Sequence, residues 1–229
     1  MEGHLEQLVR ERILILDGAM GTLIQHYGLE EHDFRNGRLD GIPGPLKGNN
    51  DILCLTRPDV VADIHRRYLE AGADIITTNT FNATRISQGD YHTQDWVREI
   101  NLQAARLAKE AARQYTALTP QKPRLVAGSV GPTNKTCSMS PDVNNPALRS
   151  LAFDELAVAY LEQMEALLEG GVDILLMETI FDTLNAKAAV FAAEDAMRKA
   201  GKRVPLMLSV TVSDAGGHTL SGQTLDAFL

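Results

Sequence analysis

The 229 residues are 44% hydrophobic, 23% charged and 5% aromatic, an ordinary globular composition that excludes a disordered chain. Lys and Arg number 22 against 30 Asp and Glu, giving a net charge of −8. With no basic run beyond Arg66-Arg67 and Lys202-Arg203, this argues against a nucleic-acid or anionic-membrane partner.

The N-terminus carries Glu2 and Glu6 before a four-residue apolar run at Ile13–Leu16. That run is too short for a signal segment, and no stretch approaches the ~18 apolar residues needed to span a bilayer. Two lone cysteines, Cys54 and Cys137, read as reduced thiols, and the expected location is cytoplasmic.

Ile13–Leu16 is the first of five expected strands. A long Gly- and charge-rich connection over 23–58 follows, containing Leu46-Lys-Gly-Asn-Asn-Asp51, and loops of this length are usually functional or disordered. Emerging on an active face, it could serve as a lid. Residues 59–71 form a helix with Val60, Ile64 and Tyr68 four apart, and Asp74–Thr78 is the second strand. A helix over 94–115, a strand at Leu125–Val130, a helix over 154–170 and a strand at Asp173–Met177 come next. An Ala-rich helix over 183–200, closed by Gly201, leads to the last strand at Pro205–Val212. The strand runs are mostly continuous rather than alternating, as parallel strands buried on both faces require. The alternation of strand and helix marks an α/β chain.

An internal repeat narrows the architecture. Glu70-Ala-Gly-Ala-Asp-Ile-Ile-Thr-Thr-Asn79-Thr80 aligns with Glu169-Gly-Gly-Val-Asp-Ile-Leu-Leu-Met-Glu178-Thr179, each running from helix end through strand to a polar residue plus Thr. Repeated βα units favour a (β/α)8 TIM barrel over a doubly wound open sheet. Gly18-x-x-Gly21 also lacks the full dinucleotide fingerprint an open sheet would be expected to carry. Five units in 229 residues average about 46 each, so eight would need roughly 350. Residues 1–229 are therefore expected to be one barrel domain, C-terminally incomplete, with only its first five units present.

Barrel chemistry sits at the C-terminal ends of strands. Those ends read Asp17, then Thr78-Asn79-Thr80, then Gly131-Pro132-Thr133-Asn134, then Glu178-Thr179, then Ser213-Asp214. Asp17 and Glu178 can point into one cavity. Asp17 could instead cap the helix that follows it. Glu178 is not needed as a cap, because Asp182 and Thr183 already serve the next helix. The small residues Gly18, Ala19, Met20, Gly21 and Thr22 leave backbone amides exposed at a turn, a cradle for a carboxylate or phosphate. Acids for an ammonium and amides for a carboxylate suit an amino acid. The six histidines show no metal-binding spacing. His65, beside Arg66 and Arg67, is expected on a solvated surface. Cys137 reads as a plain loop thiol, Cys54 as buried.

Several stretches carry a specific resemblance. Asp17-Gly-Ala-Met-Gly-Thr22, Leu46-Lys-Gly-Asn-Asn-Asp51, Glu70 to Phe81, Gly131-Pro-Thr-Asn134, Ser140-Pro-Asp142 and Glu178-Thr-Ile-Phe-Asp-Thr-Leu-Asn-Ala-Lys187 resemble the homocysteine-binding module of cobalamin-dependent methionine synthases, within the homocysteine S-methyltransferases. The shorter strand-end motifs are shared with betaine and S-methylmethionine methyltransferases. The resemblance implies that Asp17 and Glu178 hold the homocysteine amino group, while amides of Gly18 to Thr22 receive its carboxylate. Asn79 and Thr133 join them as substrate-binding candidates. It implies zinc held by three cysteines from later strands. Those ligands are expected beyond Leu229, and Cys54 and Cys137 do not match them. Methylcobalamin and methyltetrahydrofolate are implied on other modules of the same longer protein, so this chain alone is expected to be inactive. The other readings are a betaine-type methyltransferase, an unrelated barrel lyase, and a non-catalytic fragment or assembly module.

Overall fold

The computed structural model describes residues 2–213 and 215–229. Its helices are α1 (Glu2–Glu11), α2 (Met20–Gln25), α3 (Leu53–Thr56), α4 (Pro58–Ala71), α5 (Arg85–Gln88), α6 (Val97–Leu118), α7 (Phe153–Glu169), α8 (Thr183–Ala200) and α9 (Leu225–Phe228). The strands are β1 (Ile75–Thr77), β2 (Leu125–Val130), β3 (Ile174–Ile180) and β4 (Leu206–Val210). They form one parallel sheet in chain order, β1-β2-β3-β4. The fold class is α/β, as the alternation of elements predicts. Among the described residues the sheet is open, not a closed barrel. The expected first strand contributes a single parallel bridge, Leu16 to Ile75. Its neighbouring backbone still docks, with Asp17 N–H donating to the Ile75 carbonyl at 2.9 Å. No helix among the described residues is long and apolar enough to cross a membrane.

Local chemistry fixes the helix ends. Pro58 opens α4, where its missing N–H costs nothing, and Gly72 closes it at φ 107°. Asp182 caps α8 by accepting the amides of Leu184 and Asn185. Side-chain alternation then divides the strands between two cores. Ile76, Val126, Leu175 and Met177 pack under α6, α7 and α8, against Ala108, Met164 and Ala193. Ile75, Leu125, Ala127, Ile174 and Leu176 face the other way, where Leu5 and Leu8 of α1 cover them. The sequence reading does not anticipate α1: ten residues are too few to hold a helix by local preference alone, and this one is held by that apolar docking.

The connection over 23–58 is neither disordered nor a bare loop. Phe34, Leu39, Leu46, Ile52 and Leu53 build a core of their own against Val61 and Ile64 of α4. Glu31 fastens it by accepting the amides of Leu46 and Lys47 at 2.8–3.0 Å. His65 corrects an expectation: it is fully buried on α4, beside Ile64 and not among the solvated arginines. The stripe of Val61, Ile64, Tyr68 and Leu69 turns it inward.

Candidate functional site

A cavity of about 360 Å³ lies at the C-terminal ends of the strands. Its walls come from 16–21, from Asn50 and Asp51 of the long connection, from 77–82 after β1, from Ser129 of β2 and from Glu178 of β3. Asp17 and Glu178 thus meet, 161 positions apart in sequence.

Each acid is held differently. Asp17 accepts the Thr77 amide on Oδ2 at 2.8 Å and the Thr77 hydroxyl on Oδ1 at 3.0 Å. Burial pushes its pKa up to about 7; the Thr77 hydrogen bonds oppose the rise, and the charge of Glu178 adds to it. Glu178 accepts the Ser129 hydroxyl on Oε1 at 2.5 Å. It sits in a β-bulge, for the β3–β4 register shifts between Met177 and Ile180. Thr179, the next residue, adopts φ 59°, a left-handed conformation costly for a β-branched side chain. The bulge turns Glu178 toward the cavity, and Thr179 holds the strain.

The cradle beside Asp17 has an open face. Ala19 stands at the N-cap of α2 and supplies no side-chain acceptor, so the first-turn amides lack a capping partner. Gly18 is also hemmed in, because a Cβ there would lie 3.3 Å from the Tyr68 hydroxyl.

Of the expected site residues, Asp17, Gly18, Ala19, Met20, Gly21, Asn79 and Glu178 line the cavity. Asn79 is tied back, its amide donating to the Asn50 carbonyl at 2.7 Å. Thr22 lies outside, exposed on α2. Thr133 is also outside: it is buried, and its hydroxyl donates to the Lys135 carbonyl at 2.6 Å. The chain turns away at Gly131, which lies so close to the Phe81 backbone that no side chain fits between them. Ser213 lies outside the cavity and donates its amide and its hydroxyl to the His218 carbonyl. Asp214 lies outside the described residues.

Asn50, Asp51, Thr77, Asn82 and Ser129 are cavity residues that strand-end reading misses. Asp51 had a signal, a carboxylate within Leu46-Lys-Gly-Asn-Asn-Asp51. Its pKa is pushed up to about 7 by burial.

The implied zinc does not fit the residues present. Cys54 lies in the core of the long connection, where burial pushes its thiol pKa far up and its Sγ donates to the Asn79 carbonyl. Cys137 lies in the core under α7 and α8. Among the described residues no group of three or more His, Cys, Asp or Glu can hold a metal.

The family model for homocysteine S-methyltransferase matches residues 14–229. Crystal structures of the homocysteine methyltransferase MmuM from Escherichia coli share the fold. The metallated form superposes with a TM-score of 0.73 and 22% identity, covering 98% of this chain and 72% of that one. For the oxidized form the values are 0.72, 24%, 96% and 70%.

Proposed function

The chain belongs to the homocysteine S-methyltransferase family, and from that premise we propose that the cavity binds homocysteine for methylation at sulfur, yielding methionine. One observation carries the reading: Asp17 and Glu178 line one cavity beside the open amides at the start of α2. Two carboxylates receive the ammonium, and backbone N–H groups receive the carboxylate. The open sheet over 1–229 is part of a homocysteine-binding unit of (β/α)8 type. Its methyl donor is methylcobalamin carried on another module of a longer protein, recharged from methyltetrahydrofolate, in the cytoplasm. The motifs over 46–51 and 178–187 support that choice of donor. In such an enzyme a bound zinc would activate the thiol.

Isothermal titration of homocysteine into the wild type, Asp17→Asn and Glu178→Gln tests the binding mode. Saturable binding weakened tenfold or more, by about 1.4 kcal/mol, in each variant is the expected result. Equal affinity in all three overturns it. Supplying methylcobalamin, S-methylmethionine or betaine to the zinc-loaded longer enzyme with homocysteine tests the donor, with methionine expected from the first alone.

A further inference from the structure

The Thr78-Asn79-Thr80 run after β1 carries two hydroxyls to which homocysteine binding assigns no task. β1 ends at Thr77, before β2 does. Ala127 of β2 still accepts the Thr78 amide at 2.9 Å. Ser129, two residues further along β2, turns its N–H and C=O to the same side, where β1 no longer runs to meet them. The two threonines take that place. The Ser129 amide donates to Thr78 Oγ1 at 2.9 Å, and Thr80 Oγ1 donates to the Ser129 carbonyl at 2.7 Å. Thr78, Thr80 and Ser129 are all buried, and all three line the cavity.

The direction of each proton is fixed. An amide only donates and a carbonyl only accepts, so Thr80 spends its single hydroxyl proton on Ser129, and Thr78 Oγ1 receives one from it. The 2.6 Å contact between the two hydroxyls is therefore a bond from Thr78 to Thr80. The circuit closes, and neither threonine keeps a proton for a ligand. Gln163 of α7, fully buried, braces it by donating Nε2 to the Thr80 carbonyl at 2.9 Å. What leaves the circuit is the Ser129 side chain, whose hydroxyl donates to Glu178 Oε1 at 2.5 Å.

We propose that Thr78 and Thr80 are positioning residues for Glu178, acting through Ser129, and so set the grip on the ammonium of the bound amino acid. The inference rests on the homocysteine reading of the cavity. A hydroxyl pair that only satisfied buried backbone would add stability and leave ligand affinity alone. Here the same backbone carries the donor to Glu178, which stands where the β3–β4 register is broken. A small shift of Ser129 moves that donor away from Oε1 and leaves the carboxylate to the bulge. Loss of either hydroxyl opens the circuit, so the two act as one unit.

A double-mutant cycle read by calorimetry of homocysteine binding tests this. Thr80→Val keeps the side-chain shape and removes the hydroxyl. It is expected to weaken homocysteine binding roughly threefold to tenfold, the range of one hydrogen bond. Thr80→Ser keeps the hydroxyl and is expected to bind within about twofold of the wild type. In a Ser129→Ala background the link to Glu178 is already cut, so Thr80→Val should change affinity by less than about twofold. Wild-type affinity in Thr80→Val, or losses that multiply in the double variant, overturn the proposal and leave homocysteine binding intact. A loss in Thr80→Ser as large as in Thr80→Val overturns it too. Failure of the wild type to bind homocysteine overturns both readings. If Thr80→Val fails to fold, Thr78→Val opens the circuit at its other hydroxyl, and the same cycle decides.

Discussion

The Ser129 hydroxyl donates to Glu178 Oε1 across the β2–β3 boundary, and both residues line the cavity. A small residue on one strand thereby orients the acid of the next. Ser129→Ala removes the donor without adding bulk, so homocysteine affinity should fall by roughly tenfold, the scale of one hydrogen bond to a charged group. Calorimetry reads that loss, and thermal melting should show little change beside it. Unchanged affinity would mean that the bulge alone aims Glu178.

Asp17 sets a pH dependence. Its carboxyl is neutral below about pH 7 in the free protein, because burial outweighs the Thr77 hydrogen bonds. An ammonium ligand prefers the ionised form. Affinity should therefore fall by about tenfold per unit as pH drops below 7, and level off above it. Binding should release a proton near neutrality, visible as a dependence of calorimetric heat on buffer ionisation enthalpy. Asp17→Asn should bind weakly with no such slope.

Gly131 meets the Phe81 backbone so closely that an added Cβ would fall 2.3 Å from the carbonyl oxygen. Gly131→Ala must push that backbone aside. A loss of about 3 kcal/mol in chemical denaturation is expected, at the upper end of overpacking costs. Phe81 lines the cavity, so homocysteine affinity should drop with it.

His65 gives a stability prediction with a definite sign. It is fully buried, neither ring nitrogen has a partner among the described residues, and desolvation lowers its pKa to about 4. The unfolded chain takes up this proton near pH 6.5 and the folded one only near 4, so stability is lost as pH falls between the two. His65→Leu removes both that loss and the unpaired polar atoms. The variant should match or exceed the wild type at pH 7, with an advantage growing by roughly 2–3 kcal/mol toward pH 4. Urea titrations at the two pH values check it.

Where the sequence was legible, periodicity explains why. The helix over 183–200 and the strand at 125–130 were readable to the residue because buried faces repeat with their secondary-structure period. Asp17 and Glu178 were readable because an acid at the end of an apolar run is conspicuous. Thr133 misled because a strand end was extended through a Gly-Pro turn that redirects the chain. His65 misled because charged neighbours on a helix say little about the face opposite them. Ser129 reaches Glu178 through a long-range contact that local pattern cannot register, whereas Asp51 stands in a motif away from any strand end.

The apolar cluster of residues 23–58 supplies one wall of the cavity, and hydrogen bonds from Asn79 and Asn82 tie that wall to the segment after β1. Asp17 and Glu178 answer to the sheet, and Asn50 and Asp51 to that cluster. A change such as Leu39→Ala, remote from any ligand, would then be felt at the cavity through those two ties.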